Sequence, residues 1–171
     1  MPRPDPTEHA PYYAKYIALV PEEEILMAMT QELERTLALL RPISEETASL
    51  RHPPYTWSTK QVIGHLTDSE RIFGYRTLRI ARGDTTPLPG FDENAYAMAA
   101  ESDRCLLGDL AAEFAAIRRS NLLLFRHLPE AAWSRSCTAN DCLVTVRALA
   151  YILVGHERHH TGILRKRLSI A

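Results

Sequence analysis

The sequence predicts an all-α protein, a four-helix bundle with long crossover connections. Three observations lead there. Apolar residues recur at intervals of three and four in four long segments, each of roughly 20 residues, which is the mark of amphipathic helices. The alternation of apolar and polar residues expected of half-buried strands is almost missing. The connections are long, residues 83–101 above all, so the helices need not run simply up and down. The composition agrees: 171 residues, 46% apolar and 24% charged, suit one folded domain spanning 1–171.

Each element has its own justification. Pro2, Pro4, Pro6 and Pro11 predict an extended arm over residues 1–20, with Tyr12, Tyr13 and Tyr16 laid against the bundle. Pro21 suits a first helical turn, and Glu22, Glu23 and Glu24 favour the positive end of a helix dipole. Ile25, Met29, Leu33, Leu37 and Leu40 continue that helix until Pro42. One further turn is expected over 44–50 before His52-Pro53-Pro54 breaks the chain. Ser58 and Gln61 form a capping box for the second helix, whose stripe holds Val62, Leu66, Phe73 and Ile80, with His65 and Ser69 on the same side. Gly83 ends it, and residues 83–101 read as a loop rich in turn chemistry. The third helix covers 106–127, with Leu107, Leu110, Phe114, Ile117, Leu124 and Leu128 on its face. A short helix at 129–133 and an irregular or weakly extended stretch at 137–144 lead to the last helix, capped by Thr145 and running to about Leu168.

Twenty Lys+Arg oppose 21 Asp+Glu, a net charge of -1, which excludes the basic excess of a general nucleic-acid binder. No apolar run approaches the roughly 20 residues needed to span a bilayer, so no membrane partner is expected. The polar, proline-rich start lacks a signal-peptide core, and a cytoplasmic location follows as the expectation. Cys105, Cys137 and Cys142 are an odd number and read as reduced thiols.

Seven histidines are present, and three fall within 156–160. In the last helix Leu149, Leu153, His156, His160 and Ile163 step by four, three, four and three, the inward positions of a bundle helix. Two core positions are therefore imidazoles, and burying them is costly unless their nitrogens find partners. Four residues apart, both rings project from one face on successive turns, as two ligands of one metal ion would. His65 on the apolar face of the second helix is the best third ligand. Three imidazoles would leave a coordination position open, the pattern of a catalytic site. His156-Glu157-Arg158-His159-His160 is literally H-E-x-x-H, but the H-x-x-G-x-x-H extension of one zinc-peptidase class would need glycine and histidine where Ile163 and Lys166 stand. His9, His52 and His127 read as surface or capping residues, and His159 as a residue behind the ligand pair.

Residues 57–70, with Trp57, Ser58, His65, Leu66, Asp68, Ser69 and Glu70, resemble the W-S/T…H-L-x-D-S/A-E segment of the DinB-like superfamily of metal-binding four-helix bundles. Residues 155–160 resemble its closing H-x-x-H-H segment. Residues 82–93 are similar to the intervening loop of the branch that contains bacillithiol transferases, formerly described as metal-dependent hydrolases. The resemblance implies His65, His156 and His160 as ligands of a divalent metal, zinc or nickel, and often a homodimer. It does not fix one reaction. The first expectation is a thiol S-transferase that uses a bacillithiol-type low-molecular-weight thiol against a small electrophile. Asp68, Arg71, Arg76 and Asn94 are then candidate contacts for substrate or cofactor. The alternatives are hydrolysis of a small ester or amide, with Glu157 as candidate general base, and a non-enzymatic metal-binding stress-response protein.

Overall fold

The computed structural model describes residues 2–168. In chain order its helices are α1 (Ala14–Ile17), α2 (Ile25–Leu40), α3 (Glu45–Ser49), α4 (Thr59–Ala81), α5 (Glu93–Ala99) and α6 (Leu107–Arg126). Strands β1 (Ser136–Ala139) and β2 (Cys142–Thr145) follow, then α7 (Val146–Arg167). Helices α2, α4, α6 and α7 form the bundle. Both α2 and α4 pack on α6 and α7, so α2 faces α4 across the diagonal and α6 faces α7. Two of the three connections between successive bundle helices therefore cross the bundle, whereas the longest, from α4 to α6, joins neighbours.

The arm packs on the bundle but is not extended. Asp5 and Glu8 make a reciprocal capping box around a 3-10 turn at Pro6–Glu8. A second turn at Pro11–Tyr13 runs into α1, which lies along α7. This contact depends on Gly155: a Cβ there would stand 2.0 Å from the carbonyl oxygen of Tyr16. Helix α2 starts at Ile25 rather than Pro21. Residues 21–24 are instead drawn onto α7, where the Tyr151 hydroxyl donates to the Glu22 carbonyl at 3.1 Å and Arg158 pairs with the Glu22 carboxylate at 2.8 Å.

Two other expectations are corrected. The 83–101 loop contains α5, whose N-cap Asp92 accepts from the amides of Asn94 and Ala95. The 137–144 stretch, expected to be irregular or weakly extended, is extended and paired as a hairpin, with Cys137 opposite Val144 and Ala139 opposite Cys142. Its two-residue turn places Asn140 (φ 52°) and Asp141 (φ 60°) in the left-handed region, the geometry that tightly joined strands require. Leu88 adds to the hairpin edge by donating to Thr138 O and accepting from Asn140 N. The long connection between α4 and α6 is thereby held against the connection between α6 and α7.

The core is divided. One apolar cluster includes Met29, Phe73, Phe125 and Leu149; the other includes Leu33, Ile63, Phe114 and Leu164. Between them every bundle helix contributes buried polar side chains: Thr36 from α2, His65 and Glu70 from α4, Arg118 and Asn121 from α6, and His156 and Glu157 from α7. On α6 this overrides the expected face. Arg118 is fully buried at a core position, while Ile117 and Leu124 are only partly covered.

Candidate metal centre

The three expected ligands converge. The capping box of Ser58 and Gln61 starts α4 as the sequence indicates, and His65 follows on the buried face. His156 and His160 project from successive turns of α7. The Nε2 atoms of His65 and His160 lie 3.0 and 3.1 Å from Nε2 of His156, and the three ligand nitrogens fall within 4.8 Å of one another. Burial lowers His65 to about 4 and His160 to about 3, and it holds His156 well below the ordinary imidazole range. All three rings are thus neutral at pH 7 and can offer lone pairs. Each neutral ring has one N–H donor and one lone-pair nitrogen, so each can turn a lone pair towards a shared cation. Nitrogens bound to one zinc ion at 2.0–2.1 Å and tetrahedral angles lie about 3.3 Å apart, close to the spacing found. The donor set fits a divalent cation.

Aromatic rings brace the ligands. Trp57 stacks on His160 (centroids 6.5 Å, interplanar angle 14°) and packs 4.9 Å from His65. Tyr16 of α1 meets His156 edge-on at 5.3 Å and His159 at the same distance. His159 also meets His160 at 5.1 Å. His159 lies beside the ligand pair and lines the same cavity.

The histidines open into a cavity of about 550 Å³. Its walls come from four parts of the chain: Tyr12, Tyr13, Lys15 and Tyr16 of the arm; Ser69, Phe73 and Arg76 of α4; Phe91, Glu93 and Asn94 of the α4–α6 connection; and Asn140 and Cys142 of the hairpin. The sequence pointed to Asn94 and Arg76 but missed Trp57, Phe73 and Glu93 as site residues. Trp57 carries a signal, since a large indole immediately before an N-cap has to pack somewhere. The hairpin contribution had none until the α4–α6 connection was seen to bind it.

Other expected residues lie elsewhere. Glu157, the candidate base, is fully buried and outside the cavity lining. It accepts from Thr36 Oγ1 at 2.6 Å and pairs by charge with Arg118 at 2.7 Å, without a well-aligned hydrogen bond to that nitrogen. Burial pushes its carboxyl up to about 7 against the pull of Arg118. Arg118 also binds Glu70, and Asn121 completes the cluster by donating to Glu70 Oε2 at 2.8 Å. Asp68 and Arg71 pair with each other at 3.4 Å, and Arg71 turns to Glu113 at 2.5 Å. Neither lines the cavity. Cys105, Cys137 and Cys142 are free thiols, and only Cys142 reaches the cavity. No helix among the described residues is long and apolar enough to cross a membrane.

A crossed four-helix bundle with three converging imidazoles, two buried and one half-buried, defines a class of helical proteins suited to hold one divalent ion. The chain belongs to the DinB superfamily, whose profile matches residues 28–164. Among solved structures it shares its fold with YfiT from Bacillus subtilis, described as "a probable metal-dependent hydrolase with an unusual four-helix bundle topology" (TM-score 0.72, 18% identity, 99% of this chain and 95% of that one). It is also similar in fold to a mycothiol-dependent maleylpyruvate isomerase (TM-score 0.68, 16% identity), covering 85% of this chain and 61% of the isomerase. No curated protein is matched.

Proposed function

We propose that the protein is a divalent-metal-dependent enzyme, and specifically a thiol S-transferase that joins a bacillithiol-type low-molecular-weight thiol to an electrophile. One observation carries the reading: three neutral imidazoles converge at the wall of a cavity of about 550 Å³. That volume lies within the range of small-molecule sites. Zinc or nickel held by His65, His156 and His160 would supply a Lewis-acid position that favours a thiolate at neutral pH, below the thiol's ordinary pKa of about 8.5. The chain's own residues do the rest. Trp57 and Phe73 cover the ligands with apolar surface and exclude water. His159 and Tyr16 brace the α7 ligands. Asn94 and Lys15 offer donors to a polar cofactor; Asp68 and Arg71, already paired with each other, do not line that cavity. In the transfer, a sulfur–carbon bond forms as the bond from carbon to its leaving group breaks, and the thiol proton leaves with solvent.

Glu93 favours a second reading, hydrolysis of a small ester or amide. It is the one carboxylate on the cavity lining, and its charge acts on His65. Glu157, spent on Arg118 and Thr36, cannot be that base.

The test is incubation of metal-replete protein with monochlorobimane and a panel of cellular thiols. Thiol-dependent acceleration, with chloride displaced by sulfur, is expected. Cleavage of esters or amides without any thiol would replace transfer by hydrolysis, and no turnover in either assay would leave a non-enzymatic metal-binding role. The reading includes a small-molecule substrate, a cytoplasmic setting and a homodimer, the last checked by sedimentation.

A further inference from the structure

Arg76 is a buried charge that the three-histidine site leaves unexplained. It lies on α4 and is 3% exposed. Its Nη2 donates to the Pro89 carbonyl at 2.7 Å, and the Tyr13 hydroxyl is its other polar neighbour. Both partners are neutral. Arg71, Arg79 and Arg118 each have a carboxylate partner. Among the described residues Arg76 forms no ion pair, and Glu93, the one acid on the same cavity, does not reach it. A buried guanidinium without a counter-ion is strongly disfavoured unless something else supplies the negative charge.

Its position indicates what that is. Arg76 lines the cavity of the histidines and also a second, smaller one of about 290 Å³. The smaller cavity is lined by Ile72, Tyr75, Leu88 and Phe91 and by Arg71, whose charge is already met by Asp68 and Glu113. The Arg76 guanidinium carbon is 5.6 Å from the Phe73 ring centroid, and the Phe73 ring is 6.4 Å from that of His156. One phenyl ring thus stands between the unpaired cation and the candidate metal centre.

We propose that Arg76 is the recognition point for an oxyanion, a carboxylate or phosphate, on the small molecule that reacts at the histidines, whose apolar body lodges in the smaller cavity. This rests on reading the larger cavity as the reaction chamber. A planar guanidinium takes such a group bidentately, which a lysine cannot do.

Calorimetry on the metal-replete protein tests this with phenylacetate, phenylphosphonate and the neutral isostere phenylacetamide. These measurements involve no thiol and no turnover, so their outcome is separate from that of the transferase assay. At least one oxyanion is expected to bind ten-fold or more tighter than the amide, and whichever does so identifies the group. Arg76→Gln should abolish the preference with metal content unchanged, and Arg76→Lys should recover only part of it. Arg71→Gln, which removes the other cation on the smaller cavity, should leave it in place. Equal affinity for acid and amide in the unsubstituted protein overturns the proposal, and this comparison needs no variant to fold. So does a preference that disappears when metal is removed with Arg76 intact, since the ion itself would then be the anion's partner.

Discussion

His65 and His156, 91 positions apart in the chain, bring their Nε2 atoms to 3.0 Å of each other. No backbone hydrogen bond links α4 to α7 there. The approach is made by two helices packed through apolar surface on both sides of the polar layer. Protein purified without a polyhistidine tag should carry about one divalent ion per chain by elemental analysis. His65→Ala and His160→Ala should each lose it. Full occupancy in both would sink the ligand assignment.

The same burial makes the metal-free protein sensitive to acid. An unfolded histidine titrates near 6.5, whereas His65 in the fold titrates at about 4 and His160 at about 3. Between these values the unfolded chain binds more protons, so stability is present above about pH 6.5 and falls as the pH drops through this window. At pH 5 metal-free His65→Leu/His160→Leu should be more stable than the metal-free parent by on the order of 1–2 kcal/mol, or roughly 2–8 °C in Tm. Thermal melts from pH 7.5 to 4 measure this, and parallel curves for the two proteins would refute it.

Arg118 neutralises Glu70 and Glu157 in the centre of the bundle. Arg118→Met should cost about 3–5 kcal/mol in urea unfolding, because it strands two buried acids. Arg118→Met/Glu70→Gln/Glu157→Gln should recover much of that loss. Glu157→Gln alone should keep its metal and any turnover within a few-fold. Loss of turnover with metal retained would return Glu157 to the chemistry.

Gly155 admits the arm. Gly155→Ala drives a methyl group into the Tyr16 carbonyl, and overpacking of this kind costs roughly 1–3 kcal/mol. The strain is relieved most easily if α1 lifts. Hydrogen exchange at residues 14–18 should then rise while α4 and α6 stay protected.

Trp57 lies against two of the ligands, whereas Trp133 stacks on Phe125 (5.6 Å) within the other apolar cluster. Nickel or cobalt titrated into metal-free protein should quench Trp57 emission. Trp133→Phe should keep the quenching and Trp57→Phe should lose it.

The legible parts of the molecule were those where one local rule acts alone. The Ser58–Gln61 capping box and the His156/His160 spacing needed nothing beyond their own helix. Arg118 was illegible because a charge at a core position is paid for by acids on two other helices, so periodicity favoured Ile117 and Leu124. Glu157 looked catalytic in the H-E-x-x-H string, but a step of one residue turns its side chain away from the cavity. The hairpin was the closest miss. Asn140-Asp141 is tight-turn chemistry, and only the shortness of the flanking strands hid it.

The division of the cavity wall has an evolutionary consequence. The ligands ride on α4 and α7, but much of the surface a substrate would touch belongs to the arm, the 90–94 stretch and the hairpin tip. Drift in these segments can change what is accepted without altering the helices that hold the ion. In a protein built this way, chemistry and appetite are inherited separately.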